Sequence, residues 1–274
     1  MGRPVAKARP SAPVATPGVA VGHAADPAGP SGVTAILFDR PTRVVGEVRG
    51  PASGTYDVAS LGVTATFGLR DALFFAGGSL FGLDAARGVR TRLLETGRGA
   101  PALGSRIPLP RISGAILFDL PREAEALPEY LALGYGAAKL AVAGLGPSGR
   151  VGAGAGARVA KYAGLELSRA GGVGADERRL PGGGRLGVLA VFNSGGALRD
   201  PLSGEWLRTA QDREGRAILP GSNRRVAAAR AQRPATTLLL VVTDRPYDRR
   251  DLDRLALHAQ EAVARTVYPA GTAF

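Results

Sequence analysis

The 274-residue chain carries 45% hydrophobic residues, enough for a substantial core, and no apolar run of membrane-spanning length, which excludes a transmembrane helix and makes the cytoplasm the default compartment. It has no cysteine, so disulfides and thiolate chemistry are excluded, and its two histidines, His23 and His258, lie far apart without metal-ligand spacing. The net charge of +12 is almost all arginine, spread along the chain with 5% aromatics; a nucleic-acid surface concentrates its basic residues with interleaved aromatics, so no nucleic-acid partner is expected.

Residues 1–16 are alanine, proline and basic residues without periodicity, and read as a disordered tail ahead of a single domain over 17–274. Gly32–Phe38 reads as a strand closed by Asp39-Arg40-Pro41, with Val44–Val48 as its partner strand. From Leu73, strand residues run into Gly77-Gly78-Ser79 and then a helix. Adjacent glycines permit a sharp turn, and Ser79 is placed to cap the helix that follows. A phosphate site at that helix start is the alternative, although no P-loop lysine follows.

Ile112–Phe118 is strand-like, and Leu127–Val142 has helical spacing. Gly152–Ala157 is a Gly-Ala run ending near Lys161, suited to packing backbone on backbone or to presenting amides to a ligand. Gly187–Phe192 reads as a buried strand with Asn193 at its end; an Asn there caps a turn or donates to an oxyanion. Residues 197–234 are polar and arginine-rich and read as a long connector.

Thr237–Thr243 is leucine or β-branched without charge, the length of a strand buried on both faces. Thr236 stands at its mouth. Thr is a common strand residue, so the structural reading is a strand start. The chemical reading is a nucleophile: cleavage of the Ala235–Thr236 bond would free an α-amine, with a pKa of about 7.7–8.0, at a fixed short distance from the hydroxyl. Asp251–Val267 repeats its apolar residues at three- and four-residue steps, giving an amphipathic helix stopped by Pro269, with His258 on its surface. Strands alternating with helices across Gly-rich joins give a mixed α/β layered fold.

Several of these stretches together resemble one family. Pro17–His23, Gly32–Leu37, Gly77–Ala86, Ile116–Leu120, Gly152–Lys161, Leu189–Asn193 and Ala235–Leu238 occur in the order found in the P1 (S58) peptidases. These are N-terminal-nucleophile hydrolases such as L-aminopeptidase/D-esterase, the β-aminopeptidases and the nylon-oligomer hydrolase. The resemblance implies a four-layer αββα sandwich, a homo-oligomer of four or more chains, a small peptide or amide substrate and no cofactor. It implies self-cleavage before Thr236, with Thr236 as nucleophile, Asn193 holding the oxyanion and Lys161 lowering the nucleophile's pKa. Phe118 falls where some members place a site tyrosine, and Gly77, Gly78 and Ser79 fall on the substrate side. The sequence departs from the family pattern at Ala235, usually Asn or Gly, and after the last helix. There the chain runs Tyr268–Phe274, so it either ends before the acidic pair that the family carries or has Ala270-Gly271 in its place. That departure implies an alternative: a catalytically impaired homologue serving in assembly or binding.

Overall fold

The computed structural model describes residues 17–50, 54–66, 68–102, 104–120, 126–221 and 235–270. The expected tail over 1–16 lies outside them, as do the connector's residues 222–234.

Four long strands form the first sheet: β1 (Val19–Ala25), β2 (Gly32–Arg43), β3 (Leu69–Ala76) and β4 (Ile112–Ile116). They lie in the order β4-β3-β2-β1, extended at the two ends by the short strands Thr55–Tyr56 and Val142–Ala143. All contacts are antiparallel except β3 with β4. A second sheet is formed by β5 (Gly172–Arg179), β6 (Arg185–Asn193) and β7 (Thr236–Thr243), antiparallel and in the order β5-β6-β7.

The pleat explains the continuous apolar runs. In β2 and β3, Ile36, Phe38, Leu73 and Phe75 point one way, and Val33, Ala35, Ala72, Phe74 and Ala76 point the other. The first set meets Leu189, Val191, Leu238 and Leu240 of the second sheet. The second set meets α1 (Ala85–Glu95) and α2 (Tyr130–Lys139). Each fully buried Leu, Val or Phe in these layers contributes about 1.5–3 kcal/mol. The helices come close because their contact carries glycine: a Cβ on Gly88 would sit 2.0 Å from Leu131 O, and one on Gly134 2.3 Å from Ala85 O.

The last helix, α3 (Arg249–Thr266), is capped by the Asp248 side chain, which accepts from Asp251 N. Its apolar residues Leu252, Leu255, Ala256 and Ala259 line a cleft of about 690 Å³, together with β7, Phe38 and Phe75. None of its residues is fully buried. No described helix is long and apolar enough to cross a membrane.

The fold corrects several expectations. β2 does not stop at Asp39 but runs to Arg43, with an irregularity between Leu37 and Thr42 that accommodates Pro41. Val44–Val48 is not a strand; the pairing expected of it belongs to β3. The described part of the connector is not structureless, since Ala197–Arg199 pairs with Trp206–Arg208 and with Val267–Tyr268. Ser79 does not cap a helix. It opens a 3₁₀ turn, Ser79–Asp84, whose cap position is Gly78, and no side chain caps that turn or α1.

Candidate active site

β6 and β7 end together. In their antiparallel register Asn193 lies opposite Thr236, so their Cα atoms are about 4.5–5.5 Å apart and their side chains share a face. That face is the inter-sheet one, because Val191, Leu189, Leu238 and Leu240 follow from it at steps of two. Asn193 is buried, whereas Thr236 is partly exposed at the rim.

Lys161 reaches the same point from a separate turn. Ala160 adopts a left-handed conformation, with φ 58°, which costs a non-glycine residue about 1–2 kcal/mol. Two backbone bonds hold the turn there, Ala160 N to Gly196 O at 2.9 Å and Tyr162 N to Gly195 O at 3.1 Å. The result drives the Lys161 side chain inward to 2% exposure. Its Nζ donates to Asn193 O at 2.8 Å and to Asn193 Oδ1 at 3.1 Å. Burial pushes the ammonium down from 10.5 to about 7; the Arg158 charge lowers it further and Asp119 opposes.

The Asn193 amide has one allowed orientation. Its Oδ1 accepts from the backbone N–H of Arg158 at 3.0 Å, and a backbone N–H can only donate. Nδ2 therefore faces the other way and donates one proton to Phe118 O at 2.9 Å. Its second proton remains for another acceptor. Phe118 offers its carbonyl to the site, while the residue is 40% exposed. Gly195 lies beside the bond before Thr236, where a Cβ on it would come 3.4 Å from Ala235 Cβ.

Thr236, Asn193, Lys161 and the Phe118 carbonyl thus converge. Gly77 and Gly78 join them through a residue that the sequence did not single out, Asp119. Gly78 N donates to Asp119 Oδ1 at 2.8 Å, and Ser31 Oγ donates to the same oxygen at 3.0 Å. A Cβ on Gly77 would collide with Asp119 Oδ2 and Ser31 Oγ, both at 2.3 Å, and one on Gly78 with Tyr130 Oη at 2.0 Å. These glycines serve close packing around a carboxyl, the structural-turn reading, rather than a phosphate cradle. Ser79 donates its backbone N–H to Leu117 O at 2.9 Å, fastening the turn to the end of β4. In the sequence Asp119 is marked by its place directly after Phe118, within the Ile116–Leu120 motif, but nothing in the spacing marks it as buried. Among the described residues no cluster of His, Cys, Asp and Glu could hold a metal ion.

Comparison with known proteins gives the family. The chain is 35% identical over 255 residues to a Mycobacterium leprae protein described as an uncharacterized aminopeptidase, covering 88% of this chain and 67% of that protein. It is 33% identical over 193 residues to the 6-aminohexanoate-oligomer endohydrolase of a Kocuria species, covering 69% of this chain but about half, 49%, of that enzyme. A crystal structure of a protein from Pyrococcus horikoshii OT3 superposes with a TM-score of 0.63 over 96% of this chain and 74% of its own, at 18% identity, which speaks to fold alone. Peptidase family S58 matches residues 15–273, and with relatives named for peptidase and amide-oligomer hydrolysis on either side of it, the chain belongs to that family.

Proposed function

We propose that the protein is a self-processing N-terminal-nucleophile aminopeptidase or amidase whose nucleophile is Thr236. The observation that carries this reading is the pairing of Asn193 with Thr236 at the open end of β6 and β7, with the Lys161 ammonium on Asn193.

In processing, Thr236 Oγ attacks the Ala235 carbonyl carbon. The Oγ–C bond forms, the C–N bond breaks and the nitrogen takes the hydroxyl proton. Water then cleaves the ester, leaving an Ala235 carboxylate and a free Thr236 α-amine. In turnover that amine accepts the Oγ proton as Oγ attacks the carbonyl of a small peptide or amide. The unused Nδ2 proton of Asn193 is available to the oxyanion. Lys161, held on Asn193 across from Thr236, favours in its charged form the neutral, proton-accepting form of the new amine. The amine product leaves with a proton, and water releases the acyl group from Thr236. The same reading includes a single domain over 17–274 with α1 and α2, the two sheets and α3 as a four-layer αββα sandwich, assembled as a homo-oligomer.

Intact-mass measurement of the purified protein tests it. The expected result is two chains, residues 1–235 and 236–274, and a single chain for Thr236→Ala. A wild-type protein that stays in one piece and fails to hydrolyse aminoacyl p-nitroanilides would overturn the reading and leave an impaired homologue.

A further inference from the structure

Lys161–Ala163 form a single 3₁₀ turn, entered through the left-handed Ala160 and left through Gly164 at φ 119°. Alanine does not hold that entry unaided, and the buried ammonium adds a further cost. On its inner side the turn is fastened to the segment after Asn193, by Ala160 N to Gly196 O and Tyr162 N to Gly195 O. On its outer side stands a hairpin of the connector, Ala210–Gln211 paired with Ala217–Ile218, in which Ala210 lies opposite Ile218. Tyr162 Oη sits on that rung. It accepts from Ala210 N at 3.0 Å and donates its one proton to Ile218 O at 2.5 Å. Gln211 N adds a link beside it, to Leu167 O at 3.0 Å. Ala160, Ala163, Ala197 and Ala210 form a small core of their own, against which the Tyr162 ring packs. Within one turn, therefore, Lys161 reaches in to Asn193 and Tyr162 reaches out to the hairpin.

We propose that Tyr162 is the positioning residue of Lys161: by pinning the Ala210–Ile218 hairpin onto the turn, its hydroxyl keeps the Lys161 ammonium sealed against Asn193. The catalytic meaning of this rests on the reading of Thr236 as nucleophile, but the claim about Lys161 stands apart from activity. The hairpin belongs to the stretch that leads on to the Ala235–Thr236 bond, so the connector is the outer wall of the site as well as the path to the cut. Burial raises the Tyr162 hydroxyl above its ordinary value, with the Ala210 N–H opposing, so it remains a proton donor to Ile218 at neutral pH. Removing the hydroxyl leaves Ala210 N and Ile218 O without that partner and frees the hairpin from the turn. Water then reaches the ammonium from the outer side, and an ammonium that regains water regains its ordinary basicity.

The chain has only three lysines, Lys7, Lys139 and Lys161, so lysine labelled with ¹³C at Cε gives a readily assigned spectrum. The titration is run on the full chain carrying Thr236→Ala, with and without Tyr162→Phe, well below the melting temperature of both. Phenylalanine keeps the ring and its packing, and the charges that act on Lys161, Arg158 and Asp119, are the same in both chains. The Lys161 midpoint should rise by about one pH unit in the Tyr162→Phe chain, with Lys139 unmoved. A lower melting temperature with an unchanged Lys161 midpoint would mark a purely structural role and overturn the proposal. Should Tyr162→Phe fail to fold, hydrogen exchange of the Thr236→Ala chain decides instead. A hairpin that holds the turn opens with it, so Ala210 N–H should be protected to within a few-fold of Ala160 N–H and Tyr162 N–H. Exchange at Ala210 about a hundredfold faster than at the other two would show that the hairpin opens without disturbing the turn, and would overturn the proposal. In the self-cleaving chain the alkaline limb of kcat, where Lys161 loses its charge, should move up with the midpoint; a loss of kcat equal at every pH overturns it. A wild-type chain that never processes sinks the Thr236 reading while leaving the titration and exchange tests intact.

Discussion

Lys161→Met should turn a cost of burial into a measurable gain in stability with a defined pH dependence. The ammonium is nearly inaccessible, and burial, ahead of the Arg158 charge, pushes it from 10.5 to about 7. Between those values the unfolded chain holds a proton that the folded chain does not, so wild-type stability rises with pH across the window and the burial cost is fully present at and below about pH 7. At about 1.36 kcal/mol per pH unit the displacement amounts to about 5 kcal/mol. Methionine fills similar space and carries no charge. It also strips a donor from Asn193 O and Oδ1, but that loss is the same at every pH and drops out of the comparison. Asp119 titrates below the window, and tyrosine ionisation is common to both proteins. Urea unfolding in the Thr236→Ala background, which keeps the chain uncut, should show the stability of Lys161→Met relative to its parent falling by about 4 kcal/mol from pH 7.5 to 10.5. A difference constant within about 1 kcal/mol would mean that Lys161 is not held as a destabilised cation, and the argument for its role would go with it.

Asn193→Ala should lower hydrolysis by about 10²–10³-fold in kcat, the usual loss when one oxyanion donor is removed, and should also lower the melting temperature, because Arg158 N and Lys161 Nζ lose an acceptor; a purified, folded variant with wild-type kcat would refute the assignment. Gly134→Ala should destabilise the α1–α2 contact by about 1–3 kcal/mol, since its Cβ meets Ala85 O at 2.3 Å. A thermal melt reads it, and an unchanged melting temperature would show that the helices can separate at no cost.

The parts of this molecule that the sequence revealed are those fixed by short-range rules. β2, β3, β6 and β7 follow from apolar runs, and α3 from its three-four spacing, because periodicity within one element is a local property. What misled was also local: proline at position 41 reads as a strand end, whereas the bulge absorbs it and the strand continues to Arg43. Likewise Ser79 looks like a cap because it precedes a helix, but the turn it enters is set by Gly78 in the left-handed region and by the bond to Leu117.

The site divides along the same line. Thr236, Asn193 and Lys161 could be named because family motifs mark them, yet no spacing rule places residues 161, 193 and 236 at one point; only the β6–β7 register and the strained Ala160 turn do so. Asp119 lies inside the family motif Ile116–Leu120, yet the resemblance gave it no role. Its meaning comes from Ser31, 88 residues earlier, and from Gly156, 37 residues later, whose missing side chain makes its slot. A carboxyl of that kind is recognisable only after folding, because what distinguishes it from the chain's other acidic groups is where the chain brings Gly77, Gly156 and Ser31 around it. Glycines that look like flexible joins in the sequence are here the walls of a charge site, which makes the Gly-rich composition part of the chemistry as well as of the turns.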